Sequence, residues 1–283
     1  MKTTQKVTGI AVITLFLFSL MFFSSCKKKT AVSNASLPVN KNELRFDSLM
    51  LNESISLFAD SQEPHNKLNI HFAYPVQVEG DTALLTQIQH QFTRALFGDK
   101  FAQMTPQKAL DAYYQKYKSD FISTRADYQE ARKDGMSMAS WGNTYQIMRS
   151  DSVSSINGIL SFTTYIENYM GGAHGSHQTG YYNIDLKTGK LITESEFFKV
   201  GYAPLLKKTI IDQLVADNKL KHSEELIDKG FFDLDEMKPN GNFLIQKEGV
   251  QYAFNEYEIA PYYMGVIKVF IPYAKISDLI QKR

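Results

Sequence analysis

The sequence predicts an α+β fold with mostly antiparallel sheets and helices packed on one face, preceded by a signal peptide and a flexible tether. Three observations predict it. Strand patterns come first, two helical patterns follow, and further strands with inserted helices complete the chain, an order typical of α+β rather than of alternating βα units. Hydrophobic residues make up 43% of the 283 residues and charged residues 22%, as in a globular domain. A strongly apolar run stands apart at the N-terminus.

The N-terminal segment has the organisation of a bacterial lipoprotein signal peptide. Two lysines precede an apolar run over residues 9–23, which is too short to span a bilayer comfortably but fits a signal-peptide core. Two serines then precede Cys26, and small residues before a cysteine resemble a lipobox, although Phe23 replaces the usual aliphatic residue there. We predict that residues 1–25 are removed and that lipid is attached to Cys26. The alternative is an uncleaved anchor.

Residues 26–42 predict a tether on a membrane anchor. They are polar and lack hydrophobic periodicity, which is typical of a flexible linker. Lysines follow Cys26 directly, whereas surface-exported lipoproteins of one large bacterial group carry acidic residues there. We therefore expect a lipid-anchored protein of the bacterial cell envelope, on the outer membrane and facing the periplasm. Cys26 is the chain's single cysteine, so an internal disulfide and a cysteine-based zinc site are excluded.

The N-terminal half, residues 43–175, is predicted from hydrophobic periodicity. Alternating apolar residues over 54–57 and 68–74 indicate two neighbouring antiparallel strands joined by a turn. Apolar residues at helical spacing predict a helix over 82–98, where a glycine ends it. A second helix opens at Pro106, because proline is tolerated in the first turn of a helix.

The C-terminal half, residues 176–283, continues a run of strands that begins before it. Asp185 to Lys190 has the chemistry of a hairpin turn, with Gly189 at the position that needs positive φ. Apolar spacing after Pro204 predicts a helix, and a short helix with an acidic loop follows it. The predicted strands cover residues 144–149, 159–169, 180–185, 243–246, 250–254 and 266–271, and a final helix covers 275–280.

Several function classes are excluded by composition and motifs. The 31 Lys and Arg balance 30 Asp and Glu, which predicts no nucleic-acid partner because such proteins need a clustered basic surface. The glycine-rich segment 171–175 lacks the lysine that ends a phosphate-binding loop. Asp233 and Asp235 begin like a calcium loop, but Met237 stands where an oxygen ligand is required. We predict no catalytic residue, no metal and no cofactor.

A rival interpretation centres on two histidines. His174 and His177 lie three residues apart in a flexible turn, where both could reach one metal ion with Glu167 or Asp185 as third ligand. The alternative function is therefore a small metal-dependent or hydrolytic envelope enzyme built on these histidines and Glu258. A third possibility is a purely structural envelope lipoprotein.

Tyrosines accumulate near two turns of the predicted sheets. Aromatic faces and hydroxyl groups suit both sugar rings and protein partners, although they also fill and border sheets. The tyrosines concerned are Tyr165, Tyr169, Tyr181, Tyr182, Tyr257, Tyr262 and Tyr263.

Two groups of segments carry a family resemblance. The first is YMGGAHG at 169–175, followed by YNIDLKTGK at 182–190 and ESEFF at 194–198. The second is QYAFNEYEIAPYYMG at 251–265, which closes with VFIPY at 269–273. Together they resemble the extracytoplasmic domain shared by RsiV-type anti-sigma factors, by the non-catalytic region of PdaC-type peptidoglycan deacetylases and by many bacterial lipoproteins of unknown function. The resemblance covers residues 65–280, PdaC-like in the N-terminal half and RsiV-like in the C-terminal half.

The resemblance implies an envelope domain that recognises a ligand without catalysis. Lysozyme-like proteins are a ligand class of the anti-sigma branch, and a peptidoglycan glycan is the other expected partner. No sigma-binding segment precedes the apolar run and no deacetylase domain follows, so we expect the recognition module alone. Glu256 stands where the family often has proline. The candidate ligand-binding residues are Tyr169, His174, Tyr257, Glu258, Tyr262 and Tyr263.

Overall fold

The computed structural model describes residues 44–59, 64–79, 82–136, 141 and 144–282. The predicted signal peptide, Cys26 and most of the tether lie outside the described residues, so the lipid-attachment site stays a prediction. The described residues belong to one compact unit. Within the described ranges, no helix is long and apolar enough to cross a membrane.

The first sheet has five strands that follow the order of the chain. Neighbouring strands are antiparallel except for the second and third, which are parallel. The mixed α+β architecture with mostly antiparallel pairing confirms the predicted fold class. The strands are β1 (Arg45–Ser56), β2 (His65–Gln77), β3 (Thr144–Ile156), β4 (Ile159–Tyr169) and β5 (Ser176–Asp185).

Three helices connect the parallel strands: α1 (Thr82–Phe97), α2 (Pro106–Ser123) and α3 (Arg125–Lys133). Ile88 and Phe92 of α1 are fully buried against the sheet, and the Phe92 ring stacks on Phe162 of β4 at a centroid distance of 3.8 Å. The first two helices begin at the predicted residues, Thr82 and Pro106. The sequence did not predict α3. This nine-residue helix is mostly polar and Ala131 is its single buried residue, so no row of apolar residues marks it.

The second sheet consists of three antiparallel strands with its own core. Its helix α5 (Ala203–Asp217) begins one residue before Pro204, after which the helix was predicted, and packs its buried residues Leu206, Ile210 and Leu214 into that core. The final helix is shorter than predicted and continues as a 3-10 turn over Ser277–Leu279. The elements are α4 (Glu194–Phe197), α5 (Ala203–Asp217), α6 (Glu225–Asp228), β6 (Phe243–Ile245), β7 (Gly249–Phe254), β8 (Ile267–Pro272) and α7 (Tyr273–Ile276).

A buried asparagine joins the two sheets. The Asn183 amide nitrogen on β5 donates to the Phe243 carbonyl at 2.8 Å, and its amide oxygen accepts from the Ile245 N–H at 2.8 Å. Since buried polar groups are stable only when paired, this side chain fixes how β6 lies against β5. β5 itself pairs with β4, so strands from both sides of the predicted border at residue 175 share one sheet.

Candidate functional site

Two segments that are distant in the sequence meet at one end of the first sheet. The turn between β4 and β5 places the His174 ring over the Tyr262 ring, with centroids 3.8 Å apart and planes inclined by 20°. The ring centroid of Tyr257 lies 6.2 Å from that of Tyr262, and the ring centroid of His177 lies 6.3 Å from it. We call this group the aromatic site, and define it as Tyr145, Tyr165, Tyr169, His174, His177, Tyr257 and Tyr262.

Local backbone chemistry shapes both turns of the aromatic site. Gly171 and Gly172 adopt φ of 93° and 103°, which glycine tolerates without steric cost, and the Tyr169 hydroxyl donates to the Gly172 carbonyl at 2.9 Å. In the other turn, Tyr257 has φ of 67° and the residue is 59% exposed. A left-handed backbone in a bulky residue is costly, so the surrounding turn must hold it. The Tyr257 N–H donates to the Ala260 carbonyl at 3.1 Å within that turn.

A buried carboxylate joins the two turns. The Glu256 side chain is only 7% exposed, and its Oε1 lies 2.6 Å from Nδ1 of His177. Its Oε2 accepts the backbone N–H of the same histidine at 3.1 Å. Because the carboxylate accepts at Nδ1, the neutral ring carries its proton there and leaves Nε2 as an acceptor. The pair therefore fixes one tautomer of His177 beside the aromatic rings.

A second carboxylate orders the strand side of the site. Glu167 on β4 accepts hydrogen bonds from the hydroxyls of Tyr145 and Tyr165, each at 2.9 Å. Burial and then the Glu167 hydrogen bond raise the pKa of Tyr165 to about 12. The hydrogen bond that Tyr145 donates to Glu167 is the main cause that raises the pKa of Tyr145. Both tyrosines thus keep their protons and stay bound to Glu167 at physiological pH.

Four of the predicted ligand-binding residues lie together in the aromatic site: Tyr169, His174, Tyr257 and Tyr262. The other two point to neighbouring loops. Tyr263 is 74% exposed and its hydroxyl lies against Gly230. Glu258 is exposed and accepts from the Asn240 amide at 2.6 Å. The carboxylate paired with a histidine is Glu256, whereas the enzyme interpretation grouped Glu258 with the two histidines.

Two of the seven clustered tyrosines belong to the core. Tyr181 is 8% exposed and packs with Leu244 and Ala253, and Tyr182 stacks on Phe162 at 4.9 Å. Sequence reasoning missed Glu256 as a site residue, and its replacement of the usual proline was the one signal that marked it.

The carboxylates proposed as metal ligands have other partners. Asp185 accepts the backbone N–H of Lys187 at 2.8 Å in the hairpin turn, and Glu167 holds two tyrosines. Across the part of the chain that the structure describes, no group of three or more His, Cys, Asp and Glu is placed to hold a metal ion. The site therefore offers ring faces, hydroxyls and a histidine–carboxylate pair.

Comparisons with known proteins give a consistent picture. The family model described as "Protein of unknown function (DUF3298)" matches residues 195–274. A solved DUF3298-family structure from Bacteroides fragilis is 30% identical and superposes with a TM-score of 0.80, over 86% of this chain and 96% of that one. A DUF3298-family structure from Pseudomonas aeruginosa is 15% identical with a TM-score of 0.60, over 85% and 96%, and shows a shared fold. No curated protein matches the chain.

Proposed function

The chain belongs to the DUF3298 family, and we propose that it is a lipid-anchored recognition domain of the bacterial cell envelope that binds a protein or a glycan without catalysis. One observation carries this proposal: the two aromatic turns meet, with the His174 ring stacked on Tyr262 at 3.8 Å. Recognition residues are characteristically found on loops that a rigid sheet positions. Attachment through Cys26 to the outer membrane, facing the periplasm, completes the proposal.

The chemistry of the aromatic site supports a glycan or a protein surface as ligand. Tyrosine and histidine rings offer flat apolar faces, while hydroxyls and the His177 Nε2 supply hydrogen-bonding groups at their edges. Tyrosine is enriched at binding hot spots for the same reason. The resemblance to RsiV-type and PdaC-type domains favours a lysozyme-like protein or a peptidoglycan glycan among such ligands.

A hydrolytic enzyme is the second candidate, and the His177–Glu256 pair is the observation that favours it. A histidine held at Nδ1 by a buried carboxylate at 2.6 Å has the orientation that a general base requires. Release of products from peptidoglycan fragments by the wild-type protein, abolished in His177→Gln, would establish this function in place of simple recognition.

Direct binding measurements test the recognition proposal. Protein comprising residues 27–283 is titrated by calorimetry with soluble peptidoglycan fragments and, separately, with lysozyme. We expect one of the two to bind and Tyr262→Ala to weaken that binding about thirtyfold, since loss of a hot-spot tyrosine costs about 2 kcal/mol. Tyr263 was also predicted to contact the ligand, so Tyr263→Ala tests whether the site extends to the loop at Gly230.

A matched control uses the far edge of the sheet. Met50 is 78% exposed on β1, four strands away from β5, so Met50→Ala should leave both binding and melting temperature unchanged. Failure of both ligands to bind would reject the proposed ligand classes. If Tyr262→Ala lowers the melting temperature while the folded fraction binds normally, Tyr262 is a packing residue and the recognition site lies elsewhere.

A further inference from the structure

A separate cavity opens at the start of α5, with a volume of about 450 Å³. This volume lies within the range of small-molecule sites. The cavity shares no residue with the aromatic site. Its lining includes two polar residues, Glu194 and Tyr202, and two lysines, Lys207 and Lys238.

The buried carboxylate of Glu194 forms the polar floor of this cavity. Glu194 is 9% exposed, and its Oε1 accepts from the Tyr252 hydroxyl and from the Gly241 N–H, each at 2.9 Å. Its Oε2 accepts only the Tyr202 hydroxyl, at 2.8 Å, among the hydrogen bonds of the described residues. A carboxylate has about four acceptor positions, so Oε2 retains capacity for one more donor.

Tyr202 adds a second acceptor to the floor. Burial and the neighbouring Glu194 raise the pKa of Tyr202 to about 12, so its hydroxyl keeps the proton that it donates to the carboxylate. The hydroxyl oxygen still has lone pairs for another donor. Since both floor groups accept hydrogen bonds, they select a ligand group with several donors and a positive charge, which is the chemistry of an ammonium.

The walls and rim of the cavity carry different chemistry. Ala203, Pro204, Met237 and Pro239 provide apolar surface suited to an alkyl chain. At the rim, Lys207 donates to the Asp235 carbonyl at 2.7 Å, and the exposed Lys238 adds a second cation. Apart from the buried Glu194 carboxylate, the lining carries two lysines and one aspartate, Asp235, and this combination suits a molecule with opposite charges at its two ends.

We propose that this cavity binds a lysine-type residue with a free carboxylate, its side-chain ammonium on Glu194 and its carboxylate at Lys207 and Lys238. The ligand is either the free diamino acid or the C-terminal residue of a peptide. The two sources differ at the α-amine, which a peptide has converted to a neutral amide. The cationic rim therefore favours the peptide form.

Ligand analogues test each end of the proposed ligand. Nα-acetyl-lysine, which stands for the peptide end, should bind the full-length protein saturably in an NMR or calorimetric titration, and free lysine should bind more weakly. Nα-acetyl-norleucine lacks only the ammonium, and Nα-acetyl-lysine amide lacks only the carboxylate. Each should bind at least about tenfold more weakly, as expected for loss of a charge-assisted hydrogen bond. Equal binding of the norleucine compound, or no binding of Nα-acetyl-lysine, overturns the proposal.

Protein variants locate the binding. Glu194→Gln keeps the size of the side chain and should weaken the binding of Nα-acetyl-lysine by about tenfold or more. Because Glu194 also holds buried Tyr252, that variant could lose stability. Ala203→Trp provides a second test, because it places a bulky side chain in the cavity lining and leaves the Glu194 carboxylate in place. Its matched control is Leu205→Trp on the same helix, where Leu205 is 54% exposed and does not line the cavity. Retained binding in Ala203→Trp, or equal loss in Leu205→Trp, contradicts the assignment.

Discussion

Removal of the Glu256 carboxylate should loosen the junction of the two aromatic turns. This side chain is 7% exposed and binds both the ring Nδ1 and the backbone N–H of His177. Glu256→Ala deletes both hydrogen bonds at once and leaves the segment 255–264 without that connection to β5. We therefore expect lower global stability and faster local opening of this segment.

The expected magnitude follows from these contacts. A hydrogen bond to a charged group contributes about 1.5–3 kcal/mol, but two on one carboxylate do not add fully. The His177 side chain is 35% exposed, so in the variant water can bind Nδ1 in place of the carboxylate. Removing the carboxylate also removes the free-energy cost of burying it. The net loss should be about 2 kcal/mol. For a chain of this size that corresponds to a fall of about 4–8 °C in melting temperature.

A double-mutant cycle measures this contribution directly. Calorimetry on Glu256→Ala, His177→Ala and the double variant should give a coupling free energy of about 1 kcal/mol or more. Hydrogen exchange should show faster exchange of the Tyr257 amide, which bonds Ala260 in the wild type. Glu248→Ala is the control, because that carboxylate is 77% exposed and its ion pair with Lys247 spans 3.9 Å; it should change stability by about 0.5 kcal/mol or less. Strictly additive effects would refute the assigned role of the pair.

Two further predictions concern lipidation and alkaline stability. Cys26→Ala should accumulate as an uncleaved precursor that takes up no labelled palmitate, and normal processing in that variant would contradict the lipobox assignment. Burial raises the pKa of Tyr113 and of Tyr117 to about 12. In the unfolded chain tyrosine hydroxyls lose their protons near pH 10, whereas in the folded chain these two hydroxyls stay protonated up to about pH 12. The free energy of unfolding is therefore highest below pH 10 and decreases as the pH rises from 10 to 12. Urea midpoints across this range should fall, and less steeply in Tyr113→Phe; a constant midpoint would disprove the linkage.

Local periodicity explains which parts of the fold were predictable. The helix α1 was predictable because Ile88, Phe92 and Leu96 recur at helical spacing and all are buried. The parallel pairing of β2 with β3 was not predictable. Asn66 pairs with Thr144, three helices separate them in the sequence, and no local pattern encodes that register. Sequence periodicity indicates which face of a strand is buried, but it does not indicate which other strand pairs with it.

The candidate site was predictable in its turns and not in its centre. Glycines and aromatic residues mark both turns in the sequence. Glu256 follows β7 in a loop, where a carboxylate is ordinarily solvated. It is buried because β5 brings His177 against it, and this contact joins residues 79 positions apart. Burial of this kind depends on tertiary structure, so no pattern near Glu256 could predict it.

The parallel pairing of β2 with β3 also determines the order in which the strands of the first sheet can form. The β1–β2 hairpin and the helices after it form from local contacts, whereas β3 must close a long loop before it pairs. Until then the inner edge of β2 presents unpaired backbone groups, a template for strands of other chains. Docking of β3, where the Ser150 hydroxyl donates to the Ala73 carbonyl at 2.8 Å, removes that edge. Aggregation during refolding should therefore compete with this single step.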